Sequence, residues 1–120
     1  MPSAHIVLLR PRQGLSAEDR DRLFTALEHA LVNIPMILRA RVGRRVTLGR
    51  PYDAQNSQDF PYAAIIEFAT EADLRAYLDH PAHSELGQVF FEVAEAALVY
   101  DFELVGAEQA HRLLDGGGPP

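Results

Sequence analysis

The chain has 120 residues, 48% of them apolar and 23% charged, a size and balance that suit one globular domain. Because cysteine is absent, thiol catalysis, disulfides and thiolate metal sites are excluded, and a metal would need histidine and carboxylate ligands. The net charge of −6 disfavours nucleic acid, and no apolar run approaches the roughly 20 residues that span a bilayer. The apolar run near the N-terminus is too short for a secretory signal, so we expect a cytoplasmic protein.

A buried strand and an amphipathic helix are expected first. The run HIVLL, residues 5–9, lacks in–out alternation, which predicts a strand covered on both faces. Ser16 is a good N-cap for the helix, and Asp19 three residues later resembles a capping box. Pro35 ends this helix, because proline disfavours helical backbone at the residue before it. The apolar stripe comprises Leu23, Leu27, Ala30 or Leu31, and Ile34.

Residues 37–49 predict a long strand with one polar face. The apolar side comprises Leu38, Ala40, Val42, Val46 and Leu48, and the polar side comprises Arg39, Arg41, Arg45 and Thr47. We expect a twist or bulge at Gly43. Residues 50–60 are polar and contain a proline and an asparagine, which predicts a hairpin-type return.

The second half of the chain repeats the strand–helix–strand pattern. Residues 62–69 predict the third strand, and Thr70 is the N-cap of a second helix that Pro81 interrupts. A third helical segment is expected at about 84–96 and the last strand at 96–104.

This order of elements predicts an α+β, ferredoxin-like βαββαβ fold, an antiparallel sheet with helices on one face. Strands one and three are then central. The domain covers residues 1–104. Residues 105–120 form a C-terminal tail, in which AEQAHRLLD can make a short helix and GGGPP is expected to be disordered.

Helices can cover only one face of such a sheet, yet several strands are apolar on both faces. In strand three, Ala63 and Ile65 lie on the second face, away from the other apolar residues of that strand. In strand four, Val99 lies on one face and Tyr100 and Phe102 lie on the other. An uncovered apolar face of that size is unusual for a monomer. The pattern therefore predicts a two-fold homodimer with sheet packed on sheet.

A few polar side chains interrupt these strands at odd-numbered positions: His5, Glu67, Asp101 and, in strand two, Arg39, Arg41 and Arg45. We expect them to share one face. Because buried charges must be paired, one interpretation is an ion-pair network that stabilises the sheet or the dimer. The other is a polar floor beneath a ligand cavity.

The quoted segments resemble a known family. The opening HIVLLR, the NIP at the end of helix one, the block AAIIEFATEADLRAYLDHPAH and the closing LVYDFE are similar to the stress-responsive A/B barrel domain, called Dabb. The resemblance covers about residues 4–103, and its most specific part runs from Glu67 to His83. It implies a ferredoxin-like fold that dimerises into an α+β barrel, in agreement with the strand pattern.

The resemblance also implies candidate site residues. A plant branch of the family resembles polyketide cyclases that work without a cofactor, and the wider superfamily includes monooxygenases. In the cyclase branch, two histidines act as acid and base and a tyrosine lines the pocket; the matching positions here are His5, His83 and Tyr77. A second pocket tyrosine of that branch is replaced here by Leu27, so the plant substrate is not implied.

Three readings of the histidine-rich turn LDHPAHSELG remain open at this point. His5 and His83 can form an acid–base pair, because imidazole exchanges protons near neutral pH. Alternatively, His80 satisfies the end of the second helix and His83 acts like an N-cap of the third. A metal is disfavoured, because Pro81 breaks the helix that would put both histidines on one face.

Three functions therefore compete. The first is a stress-related dimer that binds a small apolar or aromatic ligand near the two histidines. The second is a cofactor-independent cyclase, lyase or monooxygenase-type enzyme that uses the histidines as acid and base. The third is a protein-interaction module built on the arginines of strand two. We expect no cofactor, no metal, no nucleic acid and no membrane as partners.

Overall fold

The computed structural model describes residues 1–115. The elements in chain order are β1 (Ser3–Pro11), α1 (Ala17–Asn33), β2 (Arg39–Arg44), α2 (Pro51–Gln55), β3 (Tyr62–Phe68), α3 (Glu71–Leu78), α4 (Pro81–Val93), β4 (Ala94–Glu103) and a 3₁₀ helix, Ala107–Leu114. The four strands form one antiparallel sheet in the order β2-β3-β1-β4. The predicted ferredoxin-like α+β fold, with strands one and three in the centre, is confirmed.

Side-chain caps start the helices α1 and α3 where the sequence predicts. The Ser16 hydroxyl accepts a hydrogen bond from the Asp19 N–H at 3.0 Å, and the Thr70 hydroxyl accepts one from the Asp73 N–H at 3.1 Å. Each bond satisfies a backbone donor that the first helical turn leaves free. The α1 helix ends at Asn33, two residues before Pro35, as expected.

The core lies between the sheet and the helices. Directly opposite residues of antiparallel strands share a face. Val7 of β1 lies opposite Ala64 of β3 and both are buried, so the odd-numbered residues of β1 and the even-numbered residues of β3 point toward the helices. The main buried cluster comprises Val7, Leu27, Ala30, Ile34, Ala64, Ile66, Phe68, Leu74, Tyr77 and Leu86, and a second comprises Leu9, Leu23 and Val93.

Within residues 1–115, no helix covers the other side of the sheet, here called the outer face. Its residues include the even-numbered positions of β1 and β4 and the odd-numbered positions of β3. Large apolar side chains are exposed there, among them Ile65, Leu98, Tyr100 and Phe102. The predicted second apolar face therefore exists in the subunit.

The second strand is shorter than expected. It ends at Arg44 instead of continuing to residue 49, because the neighbouring strand β3 offers no partner before Tyr62. Pairing with β3 continues through Gly43 without a shift, so the predicted bulge there is wrong. The register shift of the sheet lies instead at Arg10–Pro11, where proline cannot donate to the ladder. The predicted return, residues 50–60, contains the short helix α2.

The third helix and the last strand both begin earlier than expected. The α4 helix starts at Pro81 instead of residue 84 and ends at Val93, and β4 starts at Ala94 instead of residue 96. Proline is tolerated at the first helical position, where its missing N–H would have no partner in any case. Pro81 therefore begins a helix as well as separating it from α3.

The polar residues of the strands do not share one face, so that expectation is wrong. His5 lies opposite Asp101 and both point toward the helices, whereas Glu67 lies opposite Arg39 on the outer face. Which residues share a face depends on how the strands are paired, because an odd residue number on one strand can lie opposite an even residue number on the next. The outer pair is an ion pair, with Arg39 Nη2 2.8 Å from the Glu67 carboxylate.

The tail begins with the 3₁₀ helix, in the segment where the sequence predicts a short helix. The predicted disorder of GGGPP concerns residues 116–120, which lie outside the described residues. The proposed domain boundary after residue 104 stays a prediction. Within residues 1–115, no helix has the length and apolar character needed to cross a bilayer.

Candidate functional site

A cavity of about 270 Å³ lies between the sheet and the helices α1, α3 and α4. Its polar side chains are His5, Tyr77 and His83. The remaining wall is apolar apart from one glycine, and consists of Val7, Leu27, Leu31, Ala64, Ile66, Leu78, Leu86, Gly87, Phe90 and Val99. The three residues that the sequence singles out thus border one space.

His5 is held in place by a carboxylate on the neighbouring strand. The β1 strand directs it toward the helices, where it is buried. Its Nδ1 lies 2.6 Å from the Asp101 Oδ1 across the β1–β4 ladder. With Nδ1–H donating to this carboxylate, Nε2 becomes the basic nitrogen of the neutral ring. The contact therefore selects the tautomer as well as the orientation of the imidazole.

Tyr77 lies on the inward side of α3 and is almost completely buried. Its ring packs 5.2 Å from the Phe68 ring and 5.6 Å from the His5 ring, measured between centroids. Burial raises the pKa of the Tyr77 phenol to about 12, because the phenolate would be poorly solvated. Near neutral pH this side chain is therefore a hydrogen-bond donor and not an anion.

His83 completes the cluster from the first turn of α4. Its ring centroid is 4.8 Å from that of Tyr77 and 6.3 Å from that of His5. Burial lowers the pKa of His83, the proximity of His5 lowers it further, and a hydrogen bond with the Leu78 backbone acts in the opposite direction. This imidazole therefore favours its neutral form at neutral pH.

His80 lies between α3 and α4 and contacts both helix ends. It is the N-cap of α4, and its Nδ1 accepts the Ala82 N–H at 3.0 Å. The expectation for the end of the preceding helix agrees with the structure, since the His80 N–H donates to the Tyr77 carbonyl at 3.1 Å, whereas the cap-like role expected of His83 belongs to His80. The reason is the early start of α4 at Pro81, which moves the cap to the residue before the proline.

The structure thus brings His5, Tyr77 and His83 together and places His80 in a capping position. Within residues 1–115, no group of three histidine, aspartate or glutamate side chains is arranged to hold a metal ion. From the sequence, Asp101 is expected either in an ion-pair network or in a polar floor beneath a ligand cavity, and its contact with His5 is not predicted. Gly87 in the cavity wall is not predicted either, although an interior helical glycine near the histidines is a readable signal.

A second, larger depression of about 510 Å³ lies on the outer face. Leu8, Ala63 and Leu98 of the sheet border it, together with Arg44, Arg45 and residues of the 56–60 loop. It contains no histidine and no part of the cluster described above. The smaller cavity therefore holds the chemically distinctive groups, and the depression belongs to the uncovered side of the sheet.

Comparison with known proteins agrees with this architecture. The family model described as "Stress responsive A/B Barrel Domain" matches residues 4–104. No curated protein sequence matches the chain significantly.

Solved structures of similar fold include both enzymes and proteins of unknown function. A hydroxynitrile lyase from Passiflora edulis has a TM-score of 0.74 at 20% identity, over 88% of this chain and 94% of that one. A dimeric ferredoxin-like protein of unknown function from Jannaschia sp. CCS1 has a TM-score of 0.69 at 25% identity, over 87% and 100%. A variant of SnoaB, a cofactor-independent oxygenase from Streptomyces nogalater, has a TM-score of 0.62 at 14% identity, over 86% and 92%.

Proposed function

Because the chain belongs to the stress-responsive A/B barrel domain family, we propose that it is a homodimer whose subunits each bind a small apolar or aromatic ligand near His5 and His83. One observation carries the proposal, namely that His5, Tyr77 and His83 border a single apolar cavity. Small-molecule sites have mostly apolar walls and a few polar groups that orient the ligand.

The cavity also limits the chemistry of the ligand. Its volume of about 270 Å³ lies just below the usual range of small-molecule sites, so the ligand is small. The cavity contains no arginine or lysine that would neutralise an anion. The Tyr77 hydroxyl and the two imidazoles suit a neutral compound with a carbonyl or hydroxyl group at one end of an apolar body.

A thermal-shift screen of small aromatic aldehydes, ketones and phenols tests this proposal. A compound that binds only the folded protein raises its stability, by about 2.7 kcal/mol at a hundred times Kd. Leu31→Trp should abolish the shift because Leu31 lines the cavity. The matched control is Val32→Trp on the same helix, where the side chain is 80% exposed and the shift should persist. A shift that survives Leu31→Trp would place the ligand elsewhere.

The second candidate is a cofactor-independent enzyme of the cyclase, lyase or monooxygenase type, and the 2.6 Å contact between His5 and Asp101 favours it. A carboxylate in this position orients a histidine base and balances the positive charge that forms when the base accepts a proton. In this proposal His5 Nε2 removes a proton from carbon, Tyr77 donates a hydrogen bond to the resulting oxyanion, and His83 exchanges the second proton.

Deuterium exchange distinguishes binding from acid–base catalysis. A bound ketone with an acidic C–H should incorporate deuterium from D₂O when the wild-type protein is present, as followed by NMR. His5→Gln should stop this exchange, because glutamine can fill the site but cannot accept the proton. If the wild-type protein binds the ketone without accelerating exchange, the enzymatic proposal fails and the ligand-binding proposal stands.

The homodimer part of the proposal rests on the outer face. Apolar side chains of β3 and β4 are exposed on this face, which is unusual for a monomer. They would be buried if the same face of a second copy packed against them. The Jannaschia protein of similar fold is described as dimeric. Light scattering at micromolar concentration is the direct measurement, and a monomeric mass would contradict the dimer.

A further inference from the structure

The ligand cavity has a gap in the part of its wall that α4 forms. Most residues that border the cavity are buried or half-buried, and the two exposed ones are Gly87 of α4 and Val99 of β4. Val99 covers its part of the wall with a branched side chain. Gly87 has no side chain, and a Cβ added there would meet no atom within 4 Å. The cavity is therefore least covered beside Gly87.

Neither the backbone nor the packing of α4 requires a glycine at this position. The φ angle of Gly87 is not positive, and its surroundings leave room for a side chain. Inside a helix, glycine is less favourable than alanine because it loses more conformational entropy on folding. Such departures from local preference are typical of functional sites. The reason for this glycine then lies in the cavity that it borders.

One turn further along α4, Phe91 lies outside both buried clusters. It is 85% exposed, more than any other large apolar side chain of residues 1–115. The helix directs His83, Leu86, Gly87 and Phe90 to the cavity, at the steps i, i+3, i+4 and i+7 that share one side of a helix. The next position of that pattern, i+8, is residue 91. Phe91 therefore lies at the margin of the cavity-facing side.

The Phe91 ring is within reach of the gap. Residues four positions apart on a helix have Cβ atoms about 5–6 Å apart, and helical side chains lean toward the N-terminus, here toward Gly87. Because residue 87 is a glycine, no side chain of its own separates the ring from the cavity. Exposed side chains change rotamer within nanoseconds, so the ring closes over the gap without movement of the helix.

The proposed homodimer does not explain the exposure of Phe91. Its subunits meet through the outer face, whereas α4 packs on the other side of the sheet. Phe91 therefore remains exposed to solvent in that dimer as well.

We propose that the ligand enters the cavity beside Gly87 and that the Phe91 ring closes over it. The apolar body of the ligand then lies under this ring, and its polar group lies at His5, Tyr77 and His83. Because aromatic rings attract one another in edge-to-face and offset contacts, the closing ring favours an aromatic ligand over a saturated one. This inference rests on the proposed ligand binding and adds to it an entrance, a further binding residue and a ligand class.

Two ketones of similar shape test the preference for an aromatic ring, namely acetophenone and cyclohexyl methyl ketone. Calorimetry should show tighter binding of acetophenone to the wild-type protein. Phe91→Ala should weaken acetophenone binding about 2- to 10-fold, as expected for the loss of one aromatic contact, and should affect the saturated ketone less. The control is Val32→Ala, at a position of α1 that is 80% exposed, and it should change neither dissociation constant.

A tryptophan at the same position reports closure directly, because the natural chain contains none. Aryl ketones quench tryptophan emission on contact. Saturating acetophenone should therefore reduce the emission of Phe91→Trp severalfold, and should reduce that of Val32→Trp far less.

A side chain at residue 87 tests the entrance. Gly87→Leu fills the gap and should slow the association of acetophenone severalfold in stopped-flow measurements. Gln88→Leu is the matched control, because Gln88 is exposed and does not border the cavity, and its association rate should equal that of the wild type.

The outcomes separate this inference from the proposed ligand binding. If acetophenone binds wild type and Phe91→Ala equally well, the closing ring is wrong and ligand binding stands. If Phe91→Ala instead lowers the mass measured by light scattering, Phe91 is a contact with another protein chain and the closing ring is also wrong. Unchanged association in Gly87→Leu overturns the entrance. If no compound of the thermal-shift screen binds the wild-type protein, both proposals fail.

Discussion

The three rings of the cavity differ in what they can do with a proton. Tyr77 keeps its hydrogen near neutral pH because burial raises its pKa to about 12. His83 tends to lose its proton because burial lowers its pKa, whereas His5 is oriented by the carboxylate of Asp101. The cluster therefore combines a permanent donor, a neutral imidazole and a positioned base within a few ångströms.

The lowered pKa of His83 predicts a pH-dependent stability. Since the unfolded chain binds a proton on this residue at higher pH than the folded chain does, the free energy of unfolding falls as the pH drops below about 6.5. His83→Gln should reduce the loss of stability between pH 7.5 and pH 5, as measured by urea unfolding. His111→Gln is the control, because its side chain is exposed. Identical pH dependence of wild type and His83→Gln would contradict the prediction.

Replacing Gly87 by alanine is expected to stabilise the folded protein. It lies inside α4, its φ angle is not positive, and an added Cβ would meet no atom within 4 Å. Gly87→Ala should therefore raise the free energy of unfolding by about 0.5–1 kcal/mol. Gly49→Ala should instead destabilise the protein, because the φ angle of Gly49 is +73°. Urea unfolding measures both, and a destabilised Gly87→Ala would show that the prediction is wrong.

At the scale of elements, the boundary between α3 and α4 depends on one cap. His80 accepts the Ala82 N–H, and Pro81 occupies the first position of the helix. His80→Ala should lower the free energy of unfolding by about 1 kcal/mol, whereas His80→Asn should retain most of it, because asparagine is an effective N-cap. Chemical unfolding at pH 7.5 measures both variants, and equal losses in the two would argue against the cap.

Most of the fold was predictable from local sequence patterns. The errors lie where the end of an element depends on pairing with a neighbouring strand. Alternation from residue 37 to 49 indicates which side chains can share a side, but a strand exists only where a neighbour accepts its hydrogen bonds, here as far as Arg44. The candidate triad was predictable from the family resemblance. The contact of His5 with Asp101 was not, because it depends on the register between residues 96 positions apart.

At the scale of the whole molecule, assembly should depend on the outer face. Tyr100 lies opposite Ile6 on that face and is 56% exposed in the subunit. Tyr100→Asp places a charge in the proposed sheet-on-sheet contact, where it would be buried without a partner, so the dimer should dissociate. Light scattering measures the mass and circular dichroism checks the fold. Val32→Asp on the exposed side of α1 is the control and should leave the mass unchanged.

The position of β1 between β3 and β4 affects how the chain is made. This central strand precedes both of its neighbours in the chain, so β3, from Tyr62, and β4, from Ala94, are synthesised after it. At about 5–20 residues per second, the nascent β1 has no ladder on its β4 side for several seconds. His5 also acquires Asp101 only after β4 has emerged. The site is therefore complete only after β4 has been synthesised and has paired with β1, and the apolar run HIVLL lacks one of its two neighbouring strands throughout this interval.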